Sequence, residues 1–159
     1  MAIQTTFTVA DGTDLDNAIT AIDAGGADAA PDTACTIDVT GPISLDAGRP
    51  AINLDSGSSL TIAGTDGTGS AQVETLGDGT DAGLMVSTGT VTVENVTVAN
   101  AVVRGGTLVL GTGATASGTV IQQGGTLDLQ ANAPPACRST ARRCRPPPSL
   151  GLARPGRST

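Results

Sequence analysis

With 159 residues, the chain has material for at most one ordinary domain. It holds a single Phe, no Tyr, no Trp and no His, which excludes a core built on large rings and any chemistry run through an imidazole base. The net charge of −7 conceals a split: residues 1–130 carry all fifteen acidic residues and only Arg49 and Arg104, for −13, whereas residues 131–159 carry six arginines and no acid. An acidic body repels nucleic acid and anionic lipid, so neither is expected as a partner.

In chain order, residues 3–9 alternate apolar and polar and run into Asp11-Gly12, which predicts a first strand closed by a turn. Residues 14–24 form the one predicted helix. Leu15, Ala18, Ile19 and Ile22 fall at i, i+3, i+4 and i+7; Thr13 is the expected N-cap, with Asp16 in a capping-box-like position, and Gly25-Gly26 the stop. Such a short helix needs tertiary packing, and covering an open end of the fold suits it. After a polar loop over 27–34, strands are predicted at 36–39 and 43–45, then at 52–54, 60–62 and 73–76, separated by Gly/Asp/Ser turns. Further strands follow near 84–86, 90–93, 96–98, 107–110, 119–121 and 126–129.

One unit recurs within residues 84–130. Gly105-Gly106-Thr107-Leu108-Val109-Leu110 returns nineteen positions later as Gly124-Gly125-Thr126-Leu127-Asp128-Leu129, and Thr88-Gly89-Thr90-Val91-Thr92-Val93 is a looser copy. No second helix is visible, which excludes strand–helix–strand crossovers. Many short strands also suit a β-sandwich, but a recurring strand-and-turn unit favours coils stacked on one another.

The segments TIDVTGPISL, AINLDSGSSLTIAG and GLMVSTGTVTVENVTVANAVVRGG, following a strand and a short helix, resemble the N-terminal part of bacterial autotransporter passenger and adhesin-like proteins with pectate-lyase-like coils. GGTLVLGTGATASGTVIQQGGTLDL is similar to the AIDA-type passenger repeat. The resemblance spans most of residues 5–130. It implies an all-β, single-stranded right-handed parallel β-helix (a solenoid) over 1–130, of five or six coils, with a short N-terminal capping helix. It also implies a structural or adhesive repeat module, secreted or displayed at the cell surface, that meets glycans or proteins of host or neighbouring cells. Self-association is a further expectation; a cofactor, nucleic-acid binding and membrane insertion are not expected. The sequence departs from the family in having neither a signal peptide nor a translocator barrel.

Residues 131–159 break the pattern, with six of the nine prolines and six of the eight arginines. Pro blocks strands and the apolar content is too low for a core, so a disordered tail is expected. The abrupt change inside a repeat suggests out-of-frame translation of a longer repeat gene, and a downstream frame devoid of Gly-rich coils would refute that. A basic tail for nucleic acid or an acidic partner is the alternative. Two further functional readings are a pectate-lyase-like polysaccharide-active enzyme and a non-functional truncated product.

No catalytic, cofactor or metal residue emerges. Paired carboxylates of the polygalacturonase kind are absent, and isolated acids sit in turns, where Asp bonds its own backbone. Asp66-Gly67 and Asp78-Gly79-Thr80-Asp81 offer oxygen ligands but match no calcium loop, so acidic turns are expected. Cys35 reads as a small buried hydrophobe, and three cysteines without CxxC spacing build no disulfide or zinc framework. Asn95 and Asn100 close the strands VTVEN and VTVAN and are expected at left-handed corners, laddering with their neighbours; Asn95 also opens a sequon. Gly105, Gly106, Gly124 and Gly125 are expected in tight turns, and Arg104 is read as a solvated turn residue.

Overall fold

The computed structural model describes residues 3–45, 49–77 and 83–130. Strand β1 (Thr6–Val9) is followed by helix α1 (Gly12–Ile22) and then by strands only. These are β2 (Ala34–Val39), β3 (Ile52–Asn53), β4 (Ser59–Gly64), β5 (Glu74–Leu76), β6 (Met85–Thr88) and β7 (Thr90–Glu94). Then come β8 (Val96–Ala99), β9 (Val102–Val103), β10 (Thr107–Leu110), β11 (Thr115–Ser117), β12 (Val120–Ile121) and β13 (Thr126–Leu129).

The strands form three sheets, ordered β1-β2-β4-β7-β10-β13, β11-β8-β5 and β12-β9-β6-β3, and the paired strands all run parallel. Parallel neighbours cannot be joined by a tight hairpin. Here the chain instead visits the three sheets in turn, β4-β5-β6, then β7-β8-β9, then β10-β11-β12, and each pass lies on the one before. The fold is therefore all-β with parallel sheets and one short helix.

Register follows the repeat. Thr107 pairs with Thr126 and Leu108 with Leu127, the nineteen-residue offset; Thr107 also pairs with Thr90 and Leu108 with Val91, the looser copy. Alternation within each strand sends one set of side chains inward, where Ile37, Leu60, Ile62, Val91, Val93 and Leu108 are fully buried. Columns of Leu, Ile and Val stacked from pass to pass make one core without an aromatic centre. Helix α1 packs against β1 and β2 and buries Leu15, Ala18, Ile19 and Ile22.

Four local expectations are corrected. The helix begins at Gly12, not at residue 14, because Asp11 is its N-cap: extended at φ −145° and ψ 178°, it accepts the Asp14 N–H at 2.9 Å, a place expected for Thr13. The helix ends at Ile22, where the Asp23 N–H still bonds the Ile19 carbonyl at 2.9 Å. The strand expected at 43–45 is reduced to a single parallel bridge from Ile43 to Leu76. Strands β9 and β11 were not anticipated, being too short to show alternation. The loop expected at 77–83 lies largely outside the described residues, as does the whole tail over 131–159.

Candidate functional site

The outward side of the six-stranded sheet carries two columns of hydroxyls. Thr6, Thr36, Thr61 and Thr92 are successive register partners, and so are Ser59, Thr90, Thr107 and Thr126. Neighbouring strands lie about 4.8 Å apart, and residues two apart on one strand about 7 Å, so these side chains make a regular array of hydroxyls and methyls. Asp38 and Glu94 lie in an adjacent column, separated by Ala63. On the second sheet Thr75, Thr97 and Thr115 form a third column, in which the Thr115 hydroxyl donates to Thr97 Oγ1 at 2.9 Å.

Corners between the sheets explain the asparagines. Asn95 joins β7 to β8 at φ 51°, and Asn100 joins β8 to β9 at φ 53°. A left-handed residue turns the chain sharply at the lowest cost when it is Gly or Asn. Each is held by the next pass: the Asn95 N–H donates to the Thr112 carbonyl at 2.8 Å, and the Asn100 N–H to the Ser117 carbonyl at 2.7 Å. Their side-chain oxygens lie over Gly113 and Gly118, where a Cβ would collide with them. The column at each corner is thus Asn over Gly. Asn95 is half-buried in this arrangement.

The paired glycines divide by cause. Gly124 has φ 90°, a conformation that requires glycine. Gly105, Gly106 and Gly125 have no such φ but lie against the previous pass: a Cβ on Gly106 would sit 2.7 Å from the Gly89 carbonyl oxygen, and on Gly105 the same distance from that of Ser87. Hydrogen bonds from Thr107 N–H to Gly89 and from Thr126 N–H to Gly106 run through this corner at 2.9 and 3.0 Å. Arg104, next to it, is exposed.

Two further titratable groups, Asp66 and Cys35, have structural assignments. Asp66 Oδ1 accepts from the Thr68 hydroxyl, the Thr68 N–H and the Ser70 N–H at 2.7, 2.8 and 3.1 Å. The Thr68 hydroxyl first, and the backbone donors with it, hold the Asp66 carboxyl below the usual range. This is a self-contained acidic turn; the Asp78 and Asp81 turn lies outside the described residues. Burial, and secondarily the Asp28 carboxylate, push the Cys35 thiol up, so the nucleophilic thiolate is disfavoured. No group of three or more metal-ligating side chains occurs among the described residues. No described helix is long and apolar enough to cross a membrane.

One structural residue had no motif to announce it. Arg49, with its side chain only 10 % exposed, donates through one nitrogen to the Gly12 carbonyl at 2.9 Å and to Asp16 Oδ1 at 2.7 Å, strapping down the start of α1. Comparison with protein-family models, with characterised proteins and with solved structures gave no match.

Proposed function

We propose that the chain is a right-handed parallel β-helix acting as a structural, adhesive repeat module of a secreted or surface-displayed autotransporter-like protein. The observation that carries this reading is the in-register threonine array on the six-stranded sheet. Successive passes repeat the same small hydroxyl side chains at a fixed spacing, so the face offers many equivalent weak contacts. Contacts of this kind gain strength by number, and a rigid backing keeps the entropic cost of engaging several at once low. Hydroxyls and methyls side by side suit neutral glycans or the polar surface of a protein on a host or neighbouring cell. No acid or base in the array is placed to drive bond cleavage, which favours display over turnover.

The test is adhesion of beads coated with the chain to arrayed glycans and to intact cells. A triple variant, Thr61→Ala, Thr92→Ala and Thr107→Ala, should lower bead retention severalfold, with the urea midpoint near that of the parent. Retention no greater than that of uncoated beads, or unchanged in the variant, would sink the adhesive reading. A crystal structure reads the hand of the coil independently of adhesion.

A further inference from the structure

Among the described residues no strand lies beyond β1 in the six-stranded sheet, and β1 pairs with β2 on one side only. Just before β1 the Gln4 N–H is already taken, by Asp28 Oδ1 at 2.9 Å, so the open edge begins at Thr6. The carbonyls of Thr5 and Val9 accept from Thr36 and Thr40, so residues of odd number in β1 face β2. In a parallel ladder the residues between them then point their N–H and C=O the other way. Gln4 Nε2 confirms the direction, reaching the Thr6 carbonyl from the free side at 3.0 Å. The Thr6 N–H and both backbone groups of Thr8 are therefore directed to the free edge.

Helix α1 runs beside this edge and leaves a cleft of about 310 Å³. Its strand wall includes Phe7, Thr8 and Val9; its helix wall includes Asp14, Asn17, Ala18 and Ala21. Phe7, the only aromatic residue of the chain, is half-buried there. Ala21, half-buried on the helix wall, leaves space that a larger side chain there would take up. At its mouth the Asp14 carboxylate and the Asn17 amide bond no other described residue. Among the described residues, the Arg49 guanidinium that reaches the start of α1 is held by Asp16, which lies on the opposite flank of the helix from Asp14.

The geometry points to strand addition: this cleft takes an extended peptide as a seventh strand of the sheet. The Thr6 N–H and the N–H and C=O of Thr8 bond its backbone. One apolar side chain seats against Phe7 and Ala21, over the buried Val9 and Ala18, and a neighbouring basic side chain meets Asp14. Main-chain bonding supplies affinity and the side-chain pockets supply preference, the logic of edge-strand recognition. The acidic lip selects a basic peptide over an acidic one. The site is at the end of the sheet, where Thr6 ends one threonine column, and it uses backbone groups and not hydroxyls, so it does not depend on the adhesive reading.

The experiment titrates the full chain with the capped peptide Ac-Thr-Val-Lys-Val-Thr-Lys-NH2, by calorimetry and by amide NMR. Saturable binding is expected, with the Thr6 and Thr8 amide resonances shifting and their hydrogen exchange slowing. Ala21→Leu, which fills the cleft, should weaken binding at least about tenfold. Asp14→Asn should weaken it about threefold, the effect of one exposed charge pair. Thr8→Pro removes a donor that β2 does not use, so it should abolish binding while leaving the sheet intact, and it keeps the test decisive if Ala21→Leu misfolds. Four outcomes would overturn the assignment: no saturation by about 1 mM; equal binding of a probe N-methylated at both valines; methyl α-glucoside displacing the peptide from the cleft; or sedimentation showing that a second copy of the chain already occupies the edge.

Discussion

Strands β10 and β13 are the same sequence unit in the same sheet, and they differ in burial. Leu108 is fully buried and Leu110 is 4 % exposed, whereas their partners nineteen residues on, Leu127 and Leu129, are half-buried and 42 % exposed. Both pairs point inward. What separates them is that β10 lies between β7 and β13, while among the described residues nothing lies beyond β13. In a stacked parallel fold the motif sets the direction of a side chain, and the next layer sets how much water it loses. The opposite end shows the other solution: α1 covers it and brings Leu15 and Ile19 to 0 and 2 % exposure. At that end the core is covered by a helix with its own cap and strap and the edge of β1 stays open, whereas the other end leaves core-facing side chains such as Leu129 exposed along with its strand edges, the kind of surface that invites association.

The sharpest way to break this comparison is to truncate the same leucine twice. Leu108→Ala should cost about 3 kcal/mol, since the cavity it leaves is enclosed by both neighbouring passes. Leu127→Ala should cost about 1 kcal/mol, because that side chain is only partly withdrawn from water. Urea unfolding of the two variants measures both, and equal losses would mean that β13 is covered in solution. Next in size is the strap on the closed end. Arg49→Met keeps the apolar stem but leaves the Gly12 carbonyl and the Asp16 carboxylate without their donor. A loss of about 1.5 kcal/mol is expected in the same assay, with the far-UV helical signal falling in parallel. Asp11→Ala should cost about 1 kcal/mol through the lost N-cap, and Asp11→Asn almost nothing, since Asn caps as well as Asp. A loss from Thr13→Ala larger than that from Asp11→Ala would return the cap to the position first expected from the sequence.

That cap shows where the sequence is legible and where it stops. The register of β7, β10 and β13 could be read directly, because the recurring Thr-apolar-X-apolar unit aligns residue for residue with the observed pairing. The helix face was equally readable from the spacing of Leu15, Ala18, Ile19 and Ile22. The N-cap was not, since Asp11, Thr13 and Asp14 are all good capping types and only the Asp11–Asp14 hydrogen bond separates them. Strand β5 inverts the usual sense of alternation, with Val73 just before it 60 % exposed and Glu74 buried opposite Val96, so hydropathy alone misassigns which way it faces. Strands β9 and β11 exist because neighbouring passes pair with them, a long-range cause that two or three residues cannot announce. The glycines show the same limit: composition marks Gly105, Gly106, Gly124 and Gly125 alike, but only Gly124 needs a positive φ, and the others yield space to backbone from a distant stretch of chain. The β1–α1 cleft left no sequence signal, because its walls come from an ordinary strand and the small-residue side of a helix.

The smallest expected effect tests how well the closed end is built. Asp23 follows the last residue of α1, where the helix dipole disfavours a negative charge, and the last turn holds no basic residue. Its carboxylate accepts the Asn53 N–H at 2.8 Å, which favours the charged form, yet burial outweighs that bond and raises the pKa. Between the unfolded and folded pKa values the native state therefore holds more proton at this site than the unfolded state. Stability contributed by Asp23 is then present at low pH and lost as pH rises through the folded pKa. Asp23→Asn keeps an oxygen for the Asn53 N–H and removes the charge, so above that pKa the variant should be more stable than the parent by about 0.5 kcal/mol. The gain should vanish as pH falls below the unfolded carboxylate range. Subtracting the two stability curves cancels the other acids, which are common to both proteins and would otherwise dominate the pH dependence of so acidic a body. A difference that grows toward low pH would show that the Asn53 hydrogen bond, and not burial, controls this carboxylate, and that the junction between α1 and β3 is closed by charge.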